Sequence, residues 1–305
     1  AKLSQTICFG NSVEDMQVGC AWVGQHAMSL SLSGCINSLD LASGSVSHRI
    51  LGHTKPLTGI VAAPSDAAPP GVTPFFTSSY DGRICEWEYA VADGATSSCK
   101  GLSSVHRNMP IAMHFDGPSR SLQSIGIDDN FIITQVPLNE AEKAKCQVKL
   151  SHQPKSSSFC PATGATAIAL SNKEVHIYRG DALVCKSGDL GFVPSCCCLA
   201  PDGHGLAVGG SDCKVRTYGL TQDLHVVEGP LATLERHRGE VTCLAYSPDG
   251  SMLASGDANR EVLVWDASTN QVKKSRMVYH SARITALAWS KDSKEIASGS
   301  IDTNV

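Results

Sequence analysis

The chain has 305 residues, enough for one or two domains with a sizeable core. Hydrophobic residues make up 42% and charged residues 18%, which excludes an extended disordered chain, and 27 glycines with 14 prolines favour turn-rich β structure over long helices. The formal net charge of −4 comes without a long basic run, so nucleic acid is not expected as a partner.

The sequence also lacks the signals of membrane insertion and export. No run approaches the roughly 18 apolar residues that a spanning helix needs, and the first ten residues, AKLSQTICFG, lack a basic segment followed by an apolar one. We therefore expect a soluble cytoplasmic protein that does not bind membranes.

Cysteine is abundant, with 13 copies, but no Cys-x-x-Cys pair occurs. The odd count and unpaired spacing predict free thiols rather than zinc ligands or disulfides. The run Cys196-Cys197-Cys198 is interpreted as small buried hydrophobes, the alternative being a metal or redox role.

An internal repeat of roughly 40 to 48 residues organises the whole chain. Its copies lie around 15–41, 52–89, 106–136, 148–179, 192–220, 237–267 and 280–305. In the clearest copies a His precedes an alternating apolar strand, a polar turn, a small-residue strand, a tight turn with Asp or Asn, and an apolar strand ending near Trp. This order predicts three strands per unit joined by hairpins, and the period-two alternation excludes a helical solenoid.

The tight turn provides the register of the repeat. Its Asp-equivalent residues are Ser33, Asp81, Asp128, Asn172, Asp212, Asn259 and Asp302. Six positions later come Leu39, Trp87, Thr134, Tyr178, Tyr218 and Trp265. The offset stays constant while the spacing between copies varies, as expected of one structural unit with variable loops.

These residues resemble the WD-repeat family, in which each unit closes one four-stranded blade of a β-propeller. The resemblance implies a hydrogen-bonded network of His, Ser or Thr, Asp and Trp in each blade. Repeat two matches it in full, with His53, Thr77, Asp81 and Trp87. Repeat seven matches three members, His280, Ser298 and Asp302. Repeat six also matches three, His237, Ser255 and Trp265, with Asn259 in place of the Asp. We expect the repeat-six network to lack its charged acceptor.

The same residue types could be read as a hydrolase triad. Because the set recurs at repeat spacing, whereas a catalytic triad occurs once, the structural interpretation is favoured.

A narrower resemblance rests on five strings: 15–41 (DMQVGCAWVGQHAMSLSLSGCINSLDL), GHTKPLTGI at 52–60, SSYDGRICEWE at 78–88, GDANREVLVWDAS at 256–268 and the segment from His280 onward. Together they are similar to the second half of the actin-interacting protein 1 family. The resemblance implies a seven-bladed type of WD-repeat β-propeller, here region 1–305 with its last repeat truncated. It also implies a non-catalytic, cofactor-free protein of the cytoplasmic actin cytoskeleton that binds cofilin-decorated actin filaments and promotes their disassembly.

Two alternatives stay open: a generic WD-repeat scaffold or substrate receptor, and a propeller enzyme. No phosphate-binding Gly-x-x-x-x-Gly-Lys-Ser/Thr loop and no His-Glu-x-x-His pair support the enzyme.

Candidate partner-binding residues follow the blade-start His residues or lie in nearby turns: Lys55, Arg107, Arg238 and Arg283, with Tyr80 and Arg260. Lys and Arg suit an acidic filament, and Arg and Tyr are enriched in binding hot spots; ordinary solvated loop charge is the alternative. The segments 62–74 and 137–149 are interpreted as surface loops.

Overall fold

The computed structural model describes residues 6–10, 12–23, 26–53, 55–63, 72–90, 96–138 and 144–303. The chain divides into two compact units, an N-terminal unit built on Ser4–Leu150 and a C-terminal unit built on Ser151–Asp302. Strands account for nearly all regular structure in the described ranges, where the one helical element is a 3₁₀ turn at Val13–Asp15.

The N-terminal unit contains three four-stranded antiparallel sheets, which we call blades one to three. Blade one is β1 (Gln17–Val23), β2 (His26–Ser31), β3 (Cys35–Asp40) and β4 (Ser45–Leu51); blade two is β5 (Leu57–Ala62), β6 (Val72–Ser79), β7 (Ile84–Ala90) and β8 (Thr96–Ser103); blade three is β9 (Pro110–Asp116), β10 (Ser121–Gly126), β11 (Asn130–Gln135) and β12 (Cys146–Lys149).

The C-terminal unit contains three further four-stranded sheets and one two-stranded sheet, blades four to seven. Blade four is β13 (Pro154–Cys160), β14 (Ala165–Leu170), β15 (Val175–Arg179) and β16 (Ala182–Lys186); blade five is β17 (Pro194–Leu199), β18 (Gly205–Gly210), β19 (Val215–Gly219) and β20 (Ala232–Leu234); blade six is β21 (Val241–Tyr246), β22 (Met252–Asp257), β23 (Val262–Asp266) and β24 (Val272–Met277); blade seven is β25 (Ile284–Trp289) and β26 (Ile296–Ser300).

Burial explains the strand sequences within each blade. The second strand has neighbours on both edges and both faces, so β14 is buried throughout and reads ATAIAL without alternation. The fourth strand lies at the sheet edge. Exposed residues alternate with half-buried ones in β12, and with half-buried residues and the buried Ile50 in β4. Central strands therefore carry the apolar core, and outer strands carry polar sequence.

Every first strand contains an extra residue opposite its second strand, and this β-bulge links blades in the C-terminal unit. The hydroxyl of Ser195, the bulge residue of β17, donates to the Val241 carbonyl of β21 at 2.5 Å. Thr242 repeats the contact one blade later, donating to the Ile284 carbonyl at 2.6 Å. A small hydroxyl residue at the bulge thus joins each of these first strands to the next.

Blades one to six have the four strands that the WD-repeat resemblance implies. The repeat pattern alone predicts three, because edge strands lack the apolar alternation that reveals inner ones. The interpretation of 137–149 as a surface loop is wrong at its end, since Cys146–Lys149 pair with β11. The interpretation of 62–74 as a loop is also wrong at its ends, since Ala62 is the last residue of β5 and Val72 begins β6. Residues 64–71 lie outside the described residues.

All 13 cysteines lie in the described ranges, and none of them forms a disulfide. Cys196 and Cys197 are buried, and burial raises the pKa of Cys197 to about 12 and that of Cys196 well above its ordinary value. Their Sγ atoms lie within reach of backbone carbonyls, those of Val241 and Ala167 respectively. These residues act as core packing groups, with their thiols held protonated at neutral pH.

Candidate functional site

In blade two, three of the four predicted network residues form a buried chain of hydrogen bonds. The Trp87 indole N–H donates to Thr77 Oγ1 at 2.7 Å, and the same oxygen lies 2.8 Å from His53 Nε2. Asp81 is placed differently: its carboxylate accepts from the Arg83 backbone amide at 2.9 Å, and no hydrogen bond joins it to His53 in the described part of the chain. Burial lowers the pKa of His53, and the nearby Asp81 charge only partly opposes this.

In blade six the network is complete and more deeply buried. Trp265 Nε1 donates to Ser255 Oγ at 2.8 Å, Ser255 Oγ lies 2.6 Å from His237 Nε2, and His237 Nδ1 lies 3.1 Å from Asp257 Oδ2. The expectation that Asn259 leaves this blade without a charged acceptor is therefore wrong. Asp257 is the last residue of β22 and reaches the same histidine nitrogen from two positions earlier.

The position of Asp257 explains why it was missed. It pairs with Val241 at the start of blade six, where blades two and seven place Ser79 and Ser300 opposite Leu57 and Ile284. Counting a constant offset from the turn therefore predicts that residue 259 is the hydrogen-bond acceptor for His237. In the structure the acceptor is Asp257, at the end of β22.

Asp257 is fully buried as an anion. Burial by itself would raise the pKa of Asp257, but hydrogen bonds from His237 and from the backbone amides of Glu261 and Arg238 hold that pKa below its ordinary value. A buried carboxylate with several donors is thereby kept charged at neutral pH.

Blade seven contains the predicted three-membered network, and blade three contains one that the sequence analysis did not assign. His280 lies 2.8 Å from Ser298 Oγ and 3.1 Å from Asp302 Oδ2. His106 lies 2.8 Å from Ser124 Oγ and 3.2 Å from Asp128 Oδ1. The His-to-Ser spacing of 18 residues is the same in blades three, six and seven and could have identified Ser124.

Blade five uses its turn aspartate for another contact. Asp212 forms a two-point ion pair with Arg216 at 2.6 and 3.2 Å, and the guanidinium lies over the Phe192 ring at 4.0 Å. The repeat thus conserves the turn position while its side-chain partner changes.

The serine of the blade-six network is not placed to act as a nucleophile. Ser255 is 0% exposed, and its oxygen is engaged by both Trp265 and His237, so it cannot meet a substrate. The potential ligand atoms of His237, Asp257 and Glu261 lie within 4.8 Å of one another, but both histidine nitrogens already have hydrogen-bond partners. A metal there would have to displace these bonds.

The six candidate partner residues are all exposed. Lys55 and Tyr80 lie close together beside blade two, where Ser79 Oγ donates to the Lys55 carbonyl and the Tyr80 amide donates to the Pro56 carbonyl. Arg107 and Arg283 lie beside the networks of blades three and seven, through the Arg107 amide bonded to Asp128 and the Arg283 carbonyl bonded to Ser300.

Arg238 and Arg260 are brought together. They line a cleft of about 810 Å³ at the end of blade six, together with Glu235, Arg236, Asn259, Glu261, Leu263, Ser275 and Val278. Arg236 was not predicted, although it stands next to a blade-start His as the other candidates do. We call this the arginine cleft. Within the described ranges, no helix has the length and apolar character needed to cross a bilayer.

The blades and their networks define a WD-repeat protein of the β-propeller class. The WD domain, G-beta repeat model matches residues 184–218, 228–266 and 272–305. Each match starts within or just before the fourth strand of one blade and continues into the next blade, which is why a repeat counted from the His shows three strands.

Comparison along the whole of this chain narrows the class of WD-repeat proteins to one family. The chain is 32% identical to actin-interacting protein 1-2 of Arabidopsis thaliana over 98% of its length and 47% of the relative. It is 30% identical to the 66 kDa stress protein of Physarum polycephalum, over 99% of the chain and 47% of that protein, and 29% identical to actin-interacting protein 1 of Drosophila melanogaster, over 100% and 47%. The chain belongs to the actin-interacting protein 1 family, and it spans about half the length of these relatives.

Proposed function

We propose that this protein is a non-catalytic actin regulator that binds cofilin-decorated actin filaments and promotes their disassembly. The observation that carries the proposal is the similarity to proteins named for actin interaction, which extends along nearly the whole chain rather than along the WD repeats alone. The networks of blades two, three and six favour a binding role, because the hydroxyls of Thr77, Ser124 and Ser255 are fully buried.

The proposal includes an architecture and a setting. Six four-stranded blades and the two-stranded blade seven support a seven-bladed propeller, corresponding to the C-terminal half of a two-propeller family member. We place the protein in the cytoplasm with the actin cytoskeleton, with actin filaments and cofilin as partners and without a nucleic-acid or membrane partner.

Co-sedimentation with actin filaments, with and without cofilin, tests the proposal. The chain should pellet with filaments more strongly when cofilin is present, and filament mass should fall in a pyrene-actin disassembly assay. Equal recovery in the supernatant under both conditions, with unchanged filament mass, would contradict it.

A generic WD-repeat scaffold is the second candidate. It is favoured by the repeat match at 184–305, which any WD-repeat scaffold would share. A chain that ignores filaments in both conditions but forms stable complexes with other proteins would support this function instead.

A further inference from the structure

The arginine cleft combines positive charge with an apolar wall on the surface of blade six. Arg236, Arg238 and Arg260 contribute exposed guanidinium groups, while Leu263 is buried at the wall and Val278 is 46% exposed. At about 810 Å³ the cleft is large enough for several side chains of a partner.

The three guanidinium groups are not neutralised by the protein. In the described part of the chain none of them takes part in an ion pair, and none donates a side-chain hydrogen bond to an acidic residue. Of the two glutamates in the lining, Glu235 is ion-paired with Lys214 at 2.6 Å. The carboxylate of Glu261 lies within 4.8 Å of the ligand atoms of His237 and Asp257. The cleft therefore presents more available positive than negative charge.

Blade six departs from the other networks at this place. In blades three and seven the turn aspartate accepts from the backbone amide that follows the His, Arg107 in one case and Ser281 in the other. In blade six the acceptor has moved to Asp257, and the turn carries neutral Asn259 and then Arg260, whose φ of 65° lies in the left-handed region. Because the turn has no carboxylate, the residues that line the cleft there are Asn259 and Arg260, together with Arg236 and Arg238.

We infer that the arginine cleft binds an acidic peptide segment of a partner protein, one with several carboxylates and a neighbouring apolar side chain. Guanidinium groups bind carboxylates through two parallel hydrogen bonds, and three of them from two loops suit charges spread along an extended chain. The glutamates in the lining would repel a concentrated dianion such as a phosphate more than single carboxylates. Val278 offers contact area for the apolar side chain. The acidic-peptide site is inferred from the cleft itself and does not require the partner to be actin or cofilin.

Fluorescence anisotropy on the full 305-residue chain tests the inference. The probe is a fluorescein-labelled peptide of alternating aspartate and serine with one central leucine. We expect saturable binding that weakens as salt is raised, because exposed charge pairs are screened. The combined variant Arg236→Gln, Arg238→Gln and Arg260→Gln should weaken binding at least about tenfold, equivalent to about 1.4 kcal/mol.

The matched control removes three exposed arginines elsewhere, Arg49→Gln, Arg120→Gln and Arg179→Gln, and should leave affinity within about twofold of the unmodified chain. Replacing the peptide leucine by serine should weaken binding to the unmodified chain more than to a Val278→Ser variant. Circular dichroism of each variant checks that the blades are intact, and Arg238→Gln alone serves if the triple variant unfolds.

Three results would overturn the inference: equal affinity of the triple variant and the control variant, equal binding of a peptide with asparagine in place of aspartate, or binding confined to a phosphoserine version of the peptide. The last would assign a phosphate site instead.

Discussion

Blades two and six contain the same His, hydroxyl and Trp at matching places, yet they complete the network differently. In blade two the histidine is bonded to Thr77 and Trp87 stacks beside Phe75, with ring centroids 6.2 Å apart. A Cβ on Gly52, the residue before the His, would lie 2.1 Å from the Trp87 ring, so that position is closed to side chains. In blade six the equivalent position holds Arg236, which lines the arginine cleft.

The carboxylates of Asp81 in blade two and Asp257 in blade six also differ, in burial and in hydrogen-bond partner. Asp81 caps its own turn through the Arg83 amide, whereas Asp257 is 0% exposed and bonded to His237. The blade whose sequence matches the repeat in full thus has the looser carboxylate, and the blade that departs from it has the buried one. A complete motif in sequence does not guarantee a complete network, because strand ends as well as turns can supply the acceptor.

Removing either tryptophan should give the largest loss. Trp87→Ala and Trp265→Ala are each expected to cost about 3–5 kcal/mol in the free energy of unfolding, because both rings are 3% exposed and donate to a buried hydroxyl. Urea unfolding measures the effect, with Leu51→Ala, 73% exposed, as a control that should change stability by less than about 0.5 kcal/mol. Neutral tryptophan variants would show that these networks do not hold the blades.

Substituting Asp257 and Asn259 in turn tests which residue accepts the hydrogen bond from His237. Asp257→Ala should cost about 1–3 kcal/mol by leaving His237 and two backbone amides without their partner. Asn259→Ala, two residues away and exposed, should cost less than about 0.5 kcal/mol. If thermal unfolding showed a larger loss of stability for Asn259→Ala than for Asp257→Ala, residue 259 would be the acceptor.

Asp81→Ala should have a smaller effect than Asp257→Ala. We expect about 0.5–1 kcal/mol, since one turn hydrogen bond to Arg83 is lost and no bond to His53 is broken. A loss equal to that of Asp257→Ala, measured under the same unfolding conditions, would mean that Asp81 acts on the histidine more strongly than the geometry indicates.

The smallest effect concerns pH. Burial lowers the pKa of both His53 and His106 below the ordinary value of 6.5, with Asp81 and Asp128 partly opposing it. The unfolded chain therefore binds protons first, and stability present above pH 6.5 should fall as the pH drops below it toward the lowered values. Unfolding midpoints at about pH 7.5 and 5.5 should differ less in a His53→Gln, His106→Gln variant. An unchanged pH dependence in that variant would place the responsible groups elsewhere.

The WD-repeat architecture could be predicted from the sequence because its main determinants are local. Hairpin turns recur at fixed offsets from an alternating apolar strand, and the residues six positions after the turn all lie on third strands and are buried, from Leu39 to Trp265. Side-chain alternation and turn chemistry act within a few residues, so they appear directly in the sequence. The family resemblance rested on the same local strings.

The fourth strands, the acceptor of blade six and the arginine cleft were decided by tertiary structure. An edge strand such as Cys146–Lys149 is recruited by pairing with β11 and needs little apolar character of its own. Asp257 meets His237 because strand pairing brings residues 20 apart into contact. Arg236 and Arg260 line one cleft because a loop and a turn end on the same side of blade six. Each depends on which backbone segments the fold places side by side, which local sequence does not specify.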